Sequence, residues 1–284
     1  MNREETGPTD AAPILGRKSH GEPPVFTPAN LLREARRQKG IEYGRVPEVC
    51  VLDPDGDIVE HLRETGRAEL NPYWACYHSR LYDFVEGGVS YGIVGGAVGA
   101  PFAVLVAEEM FASGCRFLIS VTSAGQIMPA GPPPYFVLIE SALRDEGTSY
   151  HYVPPAPYSG PHPELLQMLH GTFEDEDITV ARGAAWTTDA PFRETAAEIE
   201  RQRSAGILAV EMEAAALYAF SRATQNPVVC FAHVTNQMAS IEGDFEKGAE
   251  NGSSDALRVI GATARRWLER NKQDKVAPTG GREQ

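Results

Sequence analysis

From Glu48 onward, short and nearly continuous apolar runs alternate with stretches of helical period, and this alternation limits the fold more than any other feature of the chain. Val49–Leu52, Arg116–Val121, Tyr135–Glu140, Ile178–Ala185 and Val228–Val234 read as strands, and Leu81–Val94 as one or two strands around a Gly87-Gly88 turn. Between them, Asp57–Thr65, Pro101–Ser113, His162–His170, Phe192–Ser204, Glu211–Gln225 and Ser253–Asn271 read as helices. Strands this rich in Val, Ile, Leu and Phe have no polar face to turn to water. The pattern therefore predicts a mainly parallel sheet covered by helices on both faces, and such sheets gather their ligands at the carboxyl ends of the strands.

The flanks differ from this body. Residues 1–25, rich in Gly, Pro, Glu and Thr, read as a disordered extension, and residues 272–284 as a mobile tail. Residues 26–46 form an N-terminal helical segment, with Thr27 as N-cap, Pro28 just inside and a short basic helix over Leu31–Gln38. Residues 47–271 are long enough for one large α/β domain. The formal net charge of −13 argues against nucleic acid or an anionic membrane surface as partner. Cys50, Cys76, Cys115 and Cys230 are widely spaced and lack CxxC pairing, which reads as reduced core thiols in a cytoplasmic protein with no metal site. No run reaches the roughly 18–20 apolar residues of a membrane span, and Met1–Pro24 has no apolar core of the kind a signal peptide needs. The expected ligand is a small molecule.

Four segments fall at predicted strand ends. Ile93–Pro101 runs from a strand through Gly95, Gly96 and Gly99 into a helix, where small residues let backbone N–H groups approach an anion; a tight strand-to-helix turn asks for the same glycines. Phe117–Gly125 ends in Thr122 and Ser123, hydroxyls that either donate to an oxyanion or cap a turn. Ala185–Glu194 places Trp186 and Phe192 beside Arg193, aromatic faces and a guanidinium that suit a flat heterocycle. In Ile207–Tyr218, two carboxylates, Glu211 and Glu213, flank Met212 in otherwise apolar surroundings. A buried charge is unfavourable unless hydrogen-bonded, and a ligand rich in hydroxyls would supply those bonds.

In this order, the glycine loop, the Thr-Ser-Ala-Gly turn, the Thr-Thr-Asp-x-x-Phe segment, the Val-Glu-Met-Glu-Ala-Ala run and the Val234-Thr235-Asn236 strand end resemble the nucleoside phosphorylase family. That family includes uridine phosphorylases, trimeric-subunit-type purine nucleoside phosphorylases and nucleosidases. The resemblance covers roughly Val49–Trp267, and Leu143–Tyr152 is similar to a loop that the uridine-cleaving members carry. It implies a three-layer sandwich with a mixed, largely parallel, twisted central sheet. It also implies cleavage of the N-glycosidic bond of a ribonucleoside, uridine-like first and oxopurine second, by a homo-oligomer with shared sites and phosphate as co-substrate but no cofactor.

By the same resemblance, Glu213 accepts hydrogen bonds from both ribose hydroxyls and Met212 packs beneath the sugar. Phe192 or its neighbour Pro191 matches the position that covers the base, and Gly99 with Thr122 forms the nucleophile's pocket; Arg193, for which the family offers no counterpart, is assigned to base recognition from its place beside Phe192. Asn236 stands where purine-cleaving relatives place an aspartate; an amide is no general acid near neutral pH, but it can hydrogen-bond a carbonyl or a ring nitrogen, which favours oxo-bases. On a regular helix Glu211 lies about 200° from Glu213 and serves another face.

The chain departs from the family at two phosphate arginines. The Gly-Asp-Pro-x-Arg turn is here Asp53-Pro54-Asp55-Gly56-Asp57, and Ile119 stands three residues before Thr122. Three readings follow. Phosphate binds with a cation from elsewhere, such as Arg80, Arg144 or a neighbouring subunit; or water is the nucleophile; or the site binds a nucleoside without turnover.

Overall fold

The structure, a computed structural model, describes residues 12–16, 18–174, 178–238 and 242–276. The first half contains α1 (Pro28–Lys39), β1 (Val49–Asp53), α2 (Asp57–Glu64), β2 (Ala68–Leu70), β3 (Leu81–Glu86), β4 (Val89–Gly95) and α3 (Ala100–Ala112). Then come β5 (Phe117–Gln126), β6 (Tyr135–Asp145), α4 (Ser149–Tyr152), β7 (Tyr158–Ser159), α5 (Pro163–Met168) and β8 (Val180–Thr188). The chain continues with α6 (Ala196–Ser204), β9 (Ile207–Glu211), α7 (Ala214–Thr224), β10 (Val228–Asn236) and α8 (Ser253–Val276).

All strands among the described residues join one mixed sheet. β5 is its hinge: it pairs in parallel with β1 and β10 and antiparallel with β9. Because β10 continues through β6 and β8 back to β9, five strands close into a ring, while β1, β4, β3 and β2 extend from β5 as an open wing. Alternate residues of each central strand enter opposite cores. Cys50, Leu52 and Leu118 pack with α3 and α7, whereas Val49, Val51, Phe117 and Ile119 pack with α2, α5 and α8. Each Val, Leu or Ile buried in this way contributes roughly 1.5–3 kcal/mol, so a strand in either core cannot slip by one residue. The three layers expected from the sequence are present.

Local chemistry sets the element ends. Thr27 Oγ1 accepts from Asn30 N at 3.2 Å and caps α1, with Pro28 at its first position. Gly99 opens α3 with φ +87°, a left-handed conformation that a side chain would strain, and its N–H is thereby turned away from the helix. All four cysteines are buried and free. No helix among the described residues is long and apolar enough to cross a membrane.

The structure differs from the sequence reading in two places that bear on the site. Ile207–Glu211 is a strand, β9, and the helix begins only at Ala214. Pro191–Arg193 is a separate 3₁₀ turn and α6 starts at Ala196, because Thr195 Oγ1 caps it by accepting from Glu198 N. At the ends, residues 1–11, 17 and 277–284 lie outside the described residues. Residues 13–15 form a short 3₁₀ turn, His20 contacts the Tyr150 carbonyl, and α8 runs to Val276.

Candidate active site

β9 delivers Glu211 and Glu213 to the corner where strand becomes helix. Glu211 ends the strand, and one of its oxygens accepts from the backbone N–H groups of Glu213 and Ala214, both at 2.7 Å. Those amides open α7 and have no partner within the helix, so the carboxylate caps it and complements its dipole. The other oxygen accepts from Thr187 Oγ1, which in turn accepts from Ala215 N at 2.9 Å. Glu211 is therefore fully engaged in holding the corner. This corrects the expectation of a regular helix from Glu211: the two side chains part at a strand-to-helix corner, not by rotation around one helix.

Glu213 turns the other way. Its Oε1 accepts from Gly99 N at 2.6 Å and its Oε2 from Thr122 Oγ1 at 2.9 Å. The tertiary fold thus brings three residues singled out in the sequence, Gly99, Thr122 and Glu213, into direct contact across 114 residues of chain. Glu213 is 1% exposed. Burial pushes its carboxyl well above the usual range and the neighbouring Glu211 charge adds to this, while the Gly99 and Thr122 donors act in the opposite direction. Glu211 is raised as well, by burial first.

One residue along β5 the side chain points to the opposite face. Ser123 donates through its N–H, at 2.6 Å, and its Oγ, at 2.7 Å, to the carboxylate of Asp55. Asp55 belongs to the turn that departs from the family pattern. Its neighbours there are inward-facing: Asp53 accepts from Gly56 N and Val59 N, and burial pushes it up to about 7, whereas Asp57 is paired with Lys247. His233, opposite Ser123 in the parallel register, stacks on Phe136 at 4.6 Å, and burial brings its imidazole down to about 4. An amide, a hydroxyl and a compact acidic turn therefore meet around one carboxylate. The sequence signal was Asp53-Pro54-Asp55-Gly56-Asp57 itself, but not that Ser123 would serve it.

The remaining candidates are more dispersed. Met212 lies half-buried in the corner between the two glutamates. Asn236 ends β10 opposite Gly125; its Oδ1 accepts from Met238 N at 2.9 Å and its Nδ2 donates to Thr235 Oγ1 at 3.2 Å. Phe192 is 99% exposed on the turn after β8, and Arg193 beside it is also exposed. Ile119 is fully buried among apolar side chains on the α8 side of the sheet. Arg144, a candidate phosphate cation, is not available for that role. It is 4% exposed, donates to Ser149 Oγ and to the Pro154 and Val153 carbonyls, and lies 4.3 Å from the Tyr150 ring centre. Its task is to hold the loop after β6. Arg80, by contrast, is exposed at the wall of a cavity that Asp55 also lines.

Comparison with known proteins bears on this arrangement. The profile of the Phosphorylase superfamily matches residues 30–265. A guanosine phosphorylase of Halorubrum lacusprofundi is 26% identical over 186 residues, spanning 64% of this chain and 75% of that protein. A DeoD-type purine nucleoside phosphorylase of Exiguobacterium sibiricum is 24% identical over 228 residues, covering 78% and 95%. Among solved structures, a uridine phosphorylase from Vibrio fischeri complexed with 6-hydroxy-1-naphthoic acid superposes with a TM-score of 0.66 at 23% identity, over 80% of this chain and 92% of that one. A purine nucleoside phosphorylase from Toxoplasma gondii in complex with immucillin-H gives 0.66 at 17% identity, over 80% and 93%.

Proposed function

The chain belongs to the Phosphorylase superfamily, and from that premise we propose that it cleaves the N-glycosidic bond of a ribonucleoside and passes the ribosyl group to phosphate. The observation that supports this is Glu213, a buried carboxylate that among the described residues is satisfied by one backbone N–H and one hydroxyl at the carboxyl ends of the strands. An ionised carboxylate accepts but cannot donate, so two vicinal ribose hydroxyls can replace the Gly99 and Thr122 donors one for one. Glu211 keeps that carboxylate in place by fixing the corner. Met212, next to it, is the proposed floor of the sugar.

In the proposed reaction the C1′–N bond breaks with its electron pair going to the base, the sugar passes through an oxocarbenium-like state, and the nucleophile attacks the opposite face. Asn236 Nδ2, whose present partner is a neighbouring hydroxyl at 3.2 Å, is the proposed donor to the departing base. Uridine-like substrates come first and oxopurine nucleosides second. Phe192 must fold over the base, or a second subunit must cover it, because a 99% exposed phenyl ring has nothing to stack on in the single chain. A homo-oligomer with shared sites fits that need.

A second reading, with water as the nucleophile, is favoured by one observation: Asp55 occupies both donors of Ser123. A carboxylate there repels a phosphate dianion and can accept a proton from water. The deciding assay offers uridine, inosine, guanosine and adenosine with and without phosphate and follows free base, ribose 1-phosphate and ribose. Phosphate-dependent ribose 1-phosphate supports the first reading, phosphate-independent ribose the second, and intact nucleosides throughout overturn both.

A further inference from the structure

A cavity of about 610 Å³ opens between α3, the stretch 147–152 that carries α4, and the N-terminal segment around α1. Its size suits a small organic molecule. Ile14, Phe26, Leu31, Val104 and Leu105 give it an apolar wall, in which Phe26 and Leu105 stay exposed. Glu109 of α3 lines the same cavity and is 2% exposed. Among the described residues neither of its carboxylate oxygens has a hydrogen-bond partner.

That sets Glu109 apart from the other buried acids. Asp53 accepts from two backbone amides, Glu213 from an amide and a hydroxyl, and Glu211 from two amides and a hydroxyl. The groups around Glu109 are committed elsewhere. Lys39 Nζ donates to the Ala75 and Cys76 carbonyls and lies over the Tyr77 ring, and the His78 backbone N–H is turned to Cys76 Sγ. The Cys76 thiol, a weak donor, is near enough to act on the carboxylate but makes no hydrogen bond to it. Burial pushes the Glu109 carboxyl above its ordinary range and Glu108 adds to this, while Cys76, His78 and Lys39 act in the opposite direction.

The cavity side offers no relief either. Glu108 takes the Tyr152 hydroxyl and Asp189 takes Gly147 N at 2.8 Å, so three carboxylates line the space against one base, His151. An anion entering here would be repelled, and a neutral apolar molecule would leave Glu109 unmet. A protonated amine brings three donors and a positive charge to the two free oxygens, and an apolar body behind it covers the wall.

We propose that this cavity binds a small organic cation, a protonated amine on an aromatic or aliphatic body, with Glu109 as its counter-ion. The site is separate from the ribose-binding carboxylate: Glu109 follows Gly99 by ten residues on α3, about 15 Å along the helix axis. Nothing about it requires nucleoside cleavage.

Isothermal titration calorimetry of the full chain tests it at about pH 8, where a primary amine is protonated. The probes are phenethylamine, its neutral counterpart phenethyl alcohol and the anion hydrocinnamate. Saturable binding of the amine at least about tenfold tighter than the alcohol, with the anion weakest, supports the site. Glu109→Gln should then bring the amine down to the affinity of the alcohol, whereas Leu105→Asn should weaken both about threefold by thinning the apolar wall. Thermal unfolding checks the fold of each variant, and the amine-to-alcohol ratio of the unaltered chain is decisive even where Glu109→Gln does not fold. Equal affinity for amine and alcohol, or a preference that survives Glu109→Gln, overturns the site. Competitive displacement of the amine by uridine does the same, because it puts the amine in the nucleoside site. Sedimentation velocity covers the other possible occupant: an oligomer that Leu105→Asn dissociates, with no amine bound to either form, assigns this face to a second copy of the chain and overturns the proposal.

Discussion

Thr122 and Ser123 are consecutive on β5, and each gives its hydroxyl to a carboxylate, yet the two carboxylates live in different worlds. Glu213, reached by Thr122, is buried, with one backbone N–H and one hydroxyl as its donors. Asp55, reached by Ser123, is exposed at a cavity mouth, with an N–H and a hydroxyl of the same residue as its donors. The donor sets are alike, but water is not. Where water is excluded, a carboxylate depends entirely on the donors that the fold or a ligand provides, so holding its charge is costly and exchanging its donors is selective. Where water has access, the same two bonds are replaceable, which makes Asp55 suited to admitting, repelling or deprotonating whatever enters.

The largest effect expected from this contrast is at Glu213. Glu213→Gln should lower kcat/KM for nucleoside cleavage about 100-fold or more, on the order of 3 kcal/mol of transition-state binding, because an amide offers one acceptor oxygen where two hydroxyls must be met. Near-normal kinetics would remove Glu213 from the site. Next is Glu211→Ala, which leaves two α7 amides and Thr187 without their acceptor and should reduce stability by about 2–4 kcal/mol in urea unfolding. A loss of activity without any loss of stability would show instead that Glu211 meets the ligand directly.

Asp55→Asn comes third. If phosphate is the nucleophile, its KM should fall about tenfold as a like charge leaves the entrance; if water is, phosphate-independent cleavage should fall instead. Steady-state rates at varied phosphate separate these outcomes.

A pH profile refines the same comparison. The native Glu213 carboxyl holds its proton more tightly than the unfolded one, whose value is ordinary at 4.5. Its contribution to stability is therefore present below 4.5 and lost as pH rises toward the raised native value. Ribose binding needs the ionised form, so nucleoside affinity should climb with pH through the same raised range. Glu211→Gln, by removing the neighbouring charge, should move the inflection to lower pH; an unmoved inflection would separate the two carboxylates electrostatically. The smallest effect belongs to Phe192→Ala, which should change stability by less than about 0.5 kcal/mol, since the ring is 99% exposed, while raising KM for nucleoside if the ring closes on the base.

Much of the fold was legible because burial repeats along the chain. Val49–Leu52 is apolar at every position and Val228–Val234 at every position except His233, and only a sheet covered on both faces can bury both sides of such strands. β9 was not legible. Ile207–Val210 is as apolar as any helix core, and what makes it a strand is pairing with β8 and β5, partners that local sequence does not specify. The 3₁₀ turn at Pro191–Arg193 escaped notice for a related reason: Thr195 is a good N-cap, but nothing local ranks it above the start proposed at Phe192.

The site divides along the same line. The sequence by itself determined the chemical inventory: carboxylates in apolar surroundings, glycines and hydroxyls at strand ends, and an aspartate-rich turn that lacks the arginine the family pattern carries. It could do so because residue type, spacing and strand-end position are local properties. Only the tertiary structure decided how that inventory is connected. It joined Glu213 to Gly99 and Thr122, Asp55 to Ser123 and Glu211 to the first amides of α7, and tied Arg144 into its own loop. The reason is physical: a hydrogen bond forms between groups about 3 Å apart in space, and when they lie up to 114 residues apart in the chain only the packed sheet fixes that distance.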